Sequence, residues 1–181
     1  MHKLFIYIYC QPIPRLTLFI FLLIFLWGYL AYREGNSLRW RFANAAVTLG
    51  ILAVVFYMTV YTRGESAEEA VFKPFQSFQD AKIQPELYRS MLMNVFLFVP
   101  LGISLPFALG WRRCACNFTV ILAALFSAGI EYLQYHYALG KCEVDDIIMN
   151  TLGSLMGCIA YWLFWYLKRQ AQKSPRESED H

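Results

Sequence analysis

Residues 144–167 read VDDIIMNTLGSLMGCIAYWLFWYL: two carboxylates, then an uncharged run over 147–167. A helix rises about 1.5 Å per residue, so such a run reaches across a hydrocarbon core of roughly 30 Å. Comparable apolar blocks occupy 16–32, 42–62, 91–110 and 118–138. In lipid only helices and closed barrels satisfy their own backbone polar groups, and long unbroken apolar runs specify helices. The expected fold is an all-α, polytopic membrane helical bundle of about five transmembrane helices. Residues 1–167 would form a single membrane domain. The polar, mixed-charge residues 168–181 would form a disordered cytoplasmic tail.

Composition agrees with this reading. The chain is 58% hydrophobic and only 16% charged, against about 25% charged in soluble domains. That excludes an ordinary soluble enzyme and a disordered chain. The net charge of +3 is too small for a nucleic-acid binder, and the basic residues sit beside the apolar blocks instead. The cysteine count is odd, and Cys114 and Cys116 form a C-x-C beside Arg112 and Arg113. That spacing is neither a zinc ribbon nor a redox motif, and no disulfide framework, metal or cofactor is expected. Block 16–32 exceeds the apolar region of a signal peptide, about 7–15 residues, and runs into Arg33 and Glu34, so it reads as a span.

Lysine and arginine in short flanks set orientation. Arg33, Arg39 and Arg41 lie between the first two spans, Arg112 and Arg113 between the third and fourth, and Lys168, Arg169, Lys173 and Arg176 after the fifth. Alternating spans put all three groups on one side, the cytoplasm, so the arrangement is N-out/C-in with an outer loop at 63–90. Within that loop Phe72, Phe75 and Phe78 recur every three residues. They either rest at the lipid–water boundary or collapse onto the helix tops by apolar burial.

Polar residues inside the spans carry the functional signal, because an ionisable group at mid-membrane costs at least ~2.5–3.5 kcal/mol and asks for a partner or a use. Asn94 starts the third span, Glu131 and Gln134 end the fourth, and Asp145, Asp146 and Asn150 open the fifth. Alternation places all of them in one layer beneath one face. Ser127, Glu131 and Gln134 share a helix stripe, as do Asp146, Asn150, Gly153 and Gly157. The expected packing sets the fifth helix against the fourth with these stripes facing. One aspartate suits the N-cap of the fifth helix. Glu131 is either neutral through a raised pKa or paired with Arg89 or Lys141. Asn94 and Asn150 also suit plain interhelical hydrogen bonding, and Gly153 and Gly157 form a G-x-x-x-G that permits close helix approach or a homo-oligomer. Pro100, followed by Gly102, either bends the third helix and opens a cavity beside the fourth and fifth or is the tolerance of proline common in membrane helices.

Taken in order, N-x-x-x-F-x-P-L-G (Asn94, Phe98, Pro100, Leu101, Gly102), E-x-x-Q (Glu131, Gln134) and V-D-D-I-x-x-N-x-x-G (144–153) resemble the VanZ-like family of bacterial membrane proteins. K-P-F-x-S-F at 73–78 looks like the family's loop motif. The resemblance covers roughly 72–165, the first two spans matching only as generic hydrophobic helices. It implies a multi-pass protein of the bacterial cytoplasmic (inner) membrane and places Asn94, Glu131, Gln134, Asp145, Asp146 and Asn150 in a functional cluster. It also implies a connection to antibiotic resistance: the founding member is associated with resistance to teicoplanin, a lipoglycopeptide with a lipid tail that binds cell-wall precursors. It specifies no reaction.

Two functional classes are expected to compete, with a third behind them. The first is an envelope protein whose outward polar pocket binds an amphiphile, either a lipoglycopeptide or a lipid-linked cell-wall precursor. Phe75, Arg89, Pro100, Gly102, Gly153 and Gly157 would support that pocket. The second is a membrane-embedded enzyme using the carboxylates as acid and base or to hold a divalent metal; no nucleophile with a placed base accompanies them. A transporter or partner subunit is third, without the repeats that many transporters carry.

Overall fold

The computed structural model describes residues 13–61, 70–84, 86–110, 114–139 and 141–177. Arg112 and Arg113, used above for orientation, lie outside the described residues. The elements are α1 (Ile13–Glu34), α2 (Leu38–Phe56) continued by a π-helical turn (Tyr57–Tyr61), β1 (Ala70–Val71) and α3 (Gln76–Asp80). Then follow α4 (Glu86–Leu109), α5 (Ala115–His136), β2 (Cys142–Glu143) and α6 (Val144–Glu177). The protein is a membrane helical bundle. Four helices among the described residues are long and apolar enough to cross a bilayer: α2 with its π turn, α4, α5 and α6. α1 is helical throughout the expected first span, but its apolar segment, Thr17–Ala31, is shorter than those of the other four.

α4 is the central helix, packed by α2, α5 and α6. Its main partner is α6, and glycine sets that contact. A Cβ at Gly153 would lie 2.1 Å from the Val95 carbonyl oxygen, one at Gly157 2.3 Å from that of Val99, and one at Gly102 2.1 Å from that of Ser154. The rise from Val95 to Val99 matches the rise from Gly153 to Gly157, so the two helices run parallel with one turn in register. Lipid offers no hydrophobic drive for helix pairing, so close backbone approach and the Cα–H···O contacts it permits, roughly 0.5–1 kcal/mol each, supply the attraction. α6 packs against α5 as expected, but its more extensive seam is with α4. Gly153 and Gly157 are buried inside that seam.

Pro100 and Pro106 sit within α4, yet the helix runs through both. Each removes one backbone donor, and neighbouring helices compensate in a membrane bundle. A groove of about 350 Å³ does adjoin Pro100, but α2 and α4 residues line it (Val47, Ile51, Val54, Phe96). It does not lie beside α5 and α6 as expected. Deeper in the same interface, Thr48 donates to Ser104 at 2.9 Å, both side chains buried.

Basic residues near the α1–α2 turn and of late α6 meet at one end. Arg41 donates to the Ala108 carbonyl at 3.3 Å, and Lys168 to that of Ala31 at 3.4 Å. The α1–α2 turn, the end of α4 and the late part of α6 therefore share a level. α6 continues to Glu177, beyond the expected end of the last span at residue 167. Once nucleated, a helix extends readily through good formers such as Lys, Arg, Gln and Ala. Side chains one turn apart add support: Arg169 lies 5.1 Å over the Trp165 ring, and Gln170 donates to the Tyr166 hydroxyl at 2.9 Å.

The seam generates a test by contrast. Gly153→Ala or Gly157→Ala inserts a methyl group into backbone, costing about 1–3 kcal/mol, at roughly 2–4 °C of thermal midpoint per kcal/mol for a chain of this size. Gly50 and Gly129 have nothing within 4 Å of a built Cβ, so Gly50→Ala and Gly129→Ala leave the midpoint unchanged or raise it. Thermal unfolding of the four variants in detergent checks this; equal shifts at all four sites would exclude a glycine-dependent seam.

Candidate functional site

The polar cluster lies at the other end, where α4 and α6 begin and α5 finishes. Asp145, in the first turn of α6, is buried and accepts the backbone N–H groups of Phe75 at 2.5 Å and Ser77 at 2.8 Å. Phe75 is the N-cap of α3, with φ +65° and no capping side chain of its own. The left-handed conformation is disfavoured for a bulky residue, and Asp145 holds it in place from another helix. Asp145, one of the two aspartates that suit the N-terminus of α6, thus caps a different element. Glu143 Oε2 accepts the Ser77 hydroxyl at 3.0 Å, and β1 pairs in parallel with β2, Ala70 beside Cys142 and Val71 beside Glu143. The segment between α2 and α4 is therefore strapped down onto the start of α6.

The remaining candidates divide by partner. Asn94 donates to Asp146 at 2.6 Å, joining α4 to α6. Glu131, buried near the end of α5, accepts the Glu143 N–H at 3.0 Å, so this span carboxylate anchors the α5–α6 turn. Asn150 donates to Ser127 at 2.8 Å. That bond bears out the facing of the α5 and α6 stripes at one point, deeper than the rest. Gln134 turns to α2 and donates to the Thr59 carbonyl at 2.9 Å, within the π-helical turn. Arg89 lies half-buried in the first turn of α4, with Pro100 and Gly102 one to two turns beyond Asn94 on that helix. The six candidates share one end of the bundle, held by several different partners.

A polar cavity opens among them. It measures about 190 Å³ and is lined by Ser77, Leu87, Ser90, Met91, Lys141, Glu143 and Asp146. Only Asp146 among the six sequence candidates lines it. Ser90 was legible as the residue one turn before Asn94, on the same helix face. Glu143 was legible as the carboxylate beside the aspartate pair. Ser77 needed the folded segment. Three carboxylates act together on Cys142 in β2: burial first, then Glu131, Asp146 and Glu143, raise its thiol above the ordinary value. Among the described residues, no group of three or more His, Cys, Asp and Glu side chains is arranged to hold a metal ion. Phe75 and Phe78 part company. Phe78 packs against the core while Phe75 stays exposed, their rings 6.0 Å apart.

This arrangement of loop, helix starts and facing stripes coincides with a family match across residues 17–165, described as VanZ/LLP1. The chain belongs to the VanZ/LLP1 family. Because the match begins at residue 17, the first two helices are part of the VanZ/LLP1 pattern too, not generic additions to it. The chain is also similar to Protein VanZ of Enterococcus faecium, at 30% identity over 76 residues, covering 42% of this chain and 46% of that protein. The chain thus spans under half the length of that relative. No solved structure matches.

Two measurements address this geometry. Asp145→Ala removes two charge-assisted bonds, each contributing about 1.5–3 kcal/mol, and hydrogen exchange at the Phe75 and Ser77 amides should accelerate by at least tenfold. Exchange unchanged from wild type would mean that the strap does not depend on Asp145. For Cys142, a raised pKa leaves less thiolate at a given pH, and only the thiolate alkylates. Glu143→Gln removes one of the carboxylates that raise it, so maleimide labelling of Cys142 should become faster and its pH profile move downward. An identical profile would place Glu143 too far away to act.

Proposed function

We propose that this VanZ/LLP1 member is a cell-envelope protein of the bacterial cytoplasmic membrane, oriented N-out/C-in, whose outward polar cavity binds the head of an amphiphile. The observation that carries this is the cavity bounded by Asp146, Glu143, Lys141, Ser77 and Ser90 where the spanning helices begin. Basic side chains at the opposite end support the orientation. The carboxylates and serine hydroxyls suit ammonium, hydroxyl and amide groups, and Lys141 suits an anionic group beside them. At about 190 Å³ the cavity is smaller than the roughly 300–1,000 Å³ of drug-sized sites. It therefore takes one unit of a larger molecule, whose remainder lies outside in the membrane. A lipoglycopeptide such as teicoplanin or a lipid-linked cell-wall precursor has that form, and the first would connect the chain to antibiotic resistance.

Protein purified into nanodiscs, titrated with teicoplanin, with a glycopeptide lacking the lipid tail, and with a lipid-linked wall precursor, tests this reading. Saturable binding is expected for a tailed ligand. Asp146→Asn should weaken it about tenfold or more, since one charge-assisted bond contributes ~1.5–3 kcal/mol and 1.4 kcal/mol is a factor of ten. Ser90→Ala, away from the Asn94–Asp146 bond, should weaken it less and leave the thermal midpoint in place. Equal affinity in wild type and both variants, or no saturation with any of the three ligands, would refute it.

A further inference from the structure

The segment strapped onto α6 exposes large apolar side chains: Phe72 is 71% accessible, Phe75 56% and Ile83 83%. In water that apolar surface is unfavourable, so its surroundings matter. Its height is fixed by the bonds already described. The Phe75 and Ser77 amides are held by Asp145, and Ala70 and Val71 pair with the two residues that lead into α6. The segment therefore cannot rise away from the level at which the spanning helices begin. α5 marks the same level independently. Its last turns expose Tyr132, Tyr135 and Tyr137, with His136 stacked on Tyr132, and tyrosine is enriched where hydrocarbon meets the head groups. Lys73 and Lys82, both exposed, stand next to Phe72 and Ile83 in the chain, which supplies cations where lipid phosphates lie.

We propose that residues 72–83 are an interfacial anchor: Phe72, Phe75 and Ile83 lie among the acyl chains of the adjacent leaflet, and Lys73 and Lys82 meet its phosphates. The occupant of this surface is the phospholipid of the surrounding bilayer. The proposal stands apart from the ligand reading, since it requires no occupant in the polar cavity. It has a consequence for that cavity all the same. Ser77, in the cavity wall, belongs to the anchored segment, so the mouth sits at head-group depth and is reached from within the leaflet.

Wild-type protein in vesicles of phosphatidylcholine and phosphatidylglycerol, carrying a phospholipid with a photoactivatable diazirine in its acyl chain, tests the anchor. After irradiation, mass spectrometry should find adducts at Phe72, Phe75 and Ile83 at yields within about threefold of lipid-facing Leu125 on α5. Gln79 and Gln84, exposed polar residues of the same segment, should be at background. Labelling of Leu125 with residues 72–83 uniformly at background would overturn the proposal. A second measurement avoids reliance on labelling chemistry. The emission that Phe75→Trp adds to the native tryptophans should be blue-shifted and quenched at least twofold by brominated acyl chains. Added emission at a water-like wavelength, unaffected by bromine, would overturn it equally. Loss of teicoplanin binding with the adduct pattern intact would count against the cavity reading alone.

Discussion

The approach of α4 to α6, backbone against backbone, is the constraint on which the rest depends. Gly102, Gly153 and Gly157 leave no side chain between the helices, so the Val95 and Val99 carbonyls rest directly on glycine. Because the helices run parallel and the contact has a single register, it fixes what faces what at their shared beginning. Asn94 meets Asp146 there. Sliding by one residue would turn those side chains to different faces and drive a side chain into backbone. A membrane bundle gains nothing from hiding apolar surface between helices, since lipid is equally apolar; specificity therefore comes from fit and from hydrogen bonds.

A second layer of organisation follows from where that seam ends. The carboxylates of Glu131, Glu143 and Asp145 are committed to structural bonds: to the Glu143 amide, the Ser77 hydroxyl and the Phe75 and Ser77 amides. Backbone donors in a short loop near hydrocarbon have few alternatives, and a carboxylate accepts several at once. In this chain Glu131, Glu143 and Asp145 thus hold the segment around α3 on the α5–α6 turn. Asp146 and Glu143 also border the polar cavity, so clasp and cavity are built from adjoining side chains.

Much of this was legible in the chain. The apolar blocks reported the spanning helices because hydrocarbon thickness imposes a length, and that requirement is local. The stripe of Ser127 and Glu131 and the stripe of Asp146 and Asn150 reported facing, because helical period is local as well; the Asn150–Ser127 bond is its outcome. Gln134 was placed at the right end of the bundle but not against Thr59. Its partner is a backbone carbonyl, and any residue supplies one, so the sequence holds no mark of it. The two-residue pairing of β1 with β2 was equally invisible, being too short to leave an alternating pattern.

The amino-acid order by itself determined that the chain crosses a membrane, which short flanks between spans are basic, and which polar side chains share one level. Each follows from a property of one segment: its length, its flanks or its period. The tertiary structure alone decided that Gly153 and Gly157 meet α4, that Asp145 caps α3 rather than its own helix, and that Phe78 turns inward while Phe75 does not. Those outcomes depend on distances between segments far apart in the chain, and the competing arrangements have the same composition and the same local pattern. Packing chooses among them.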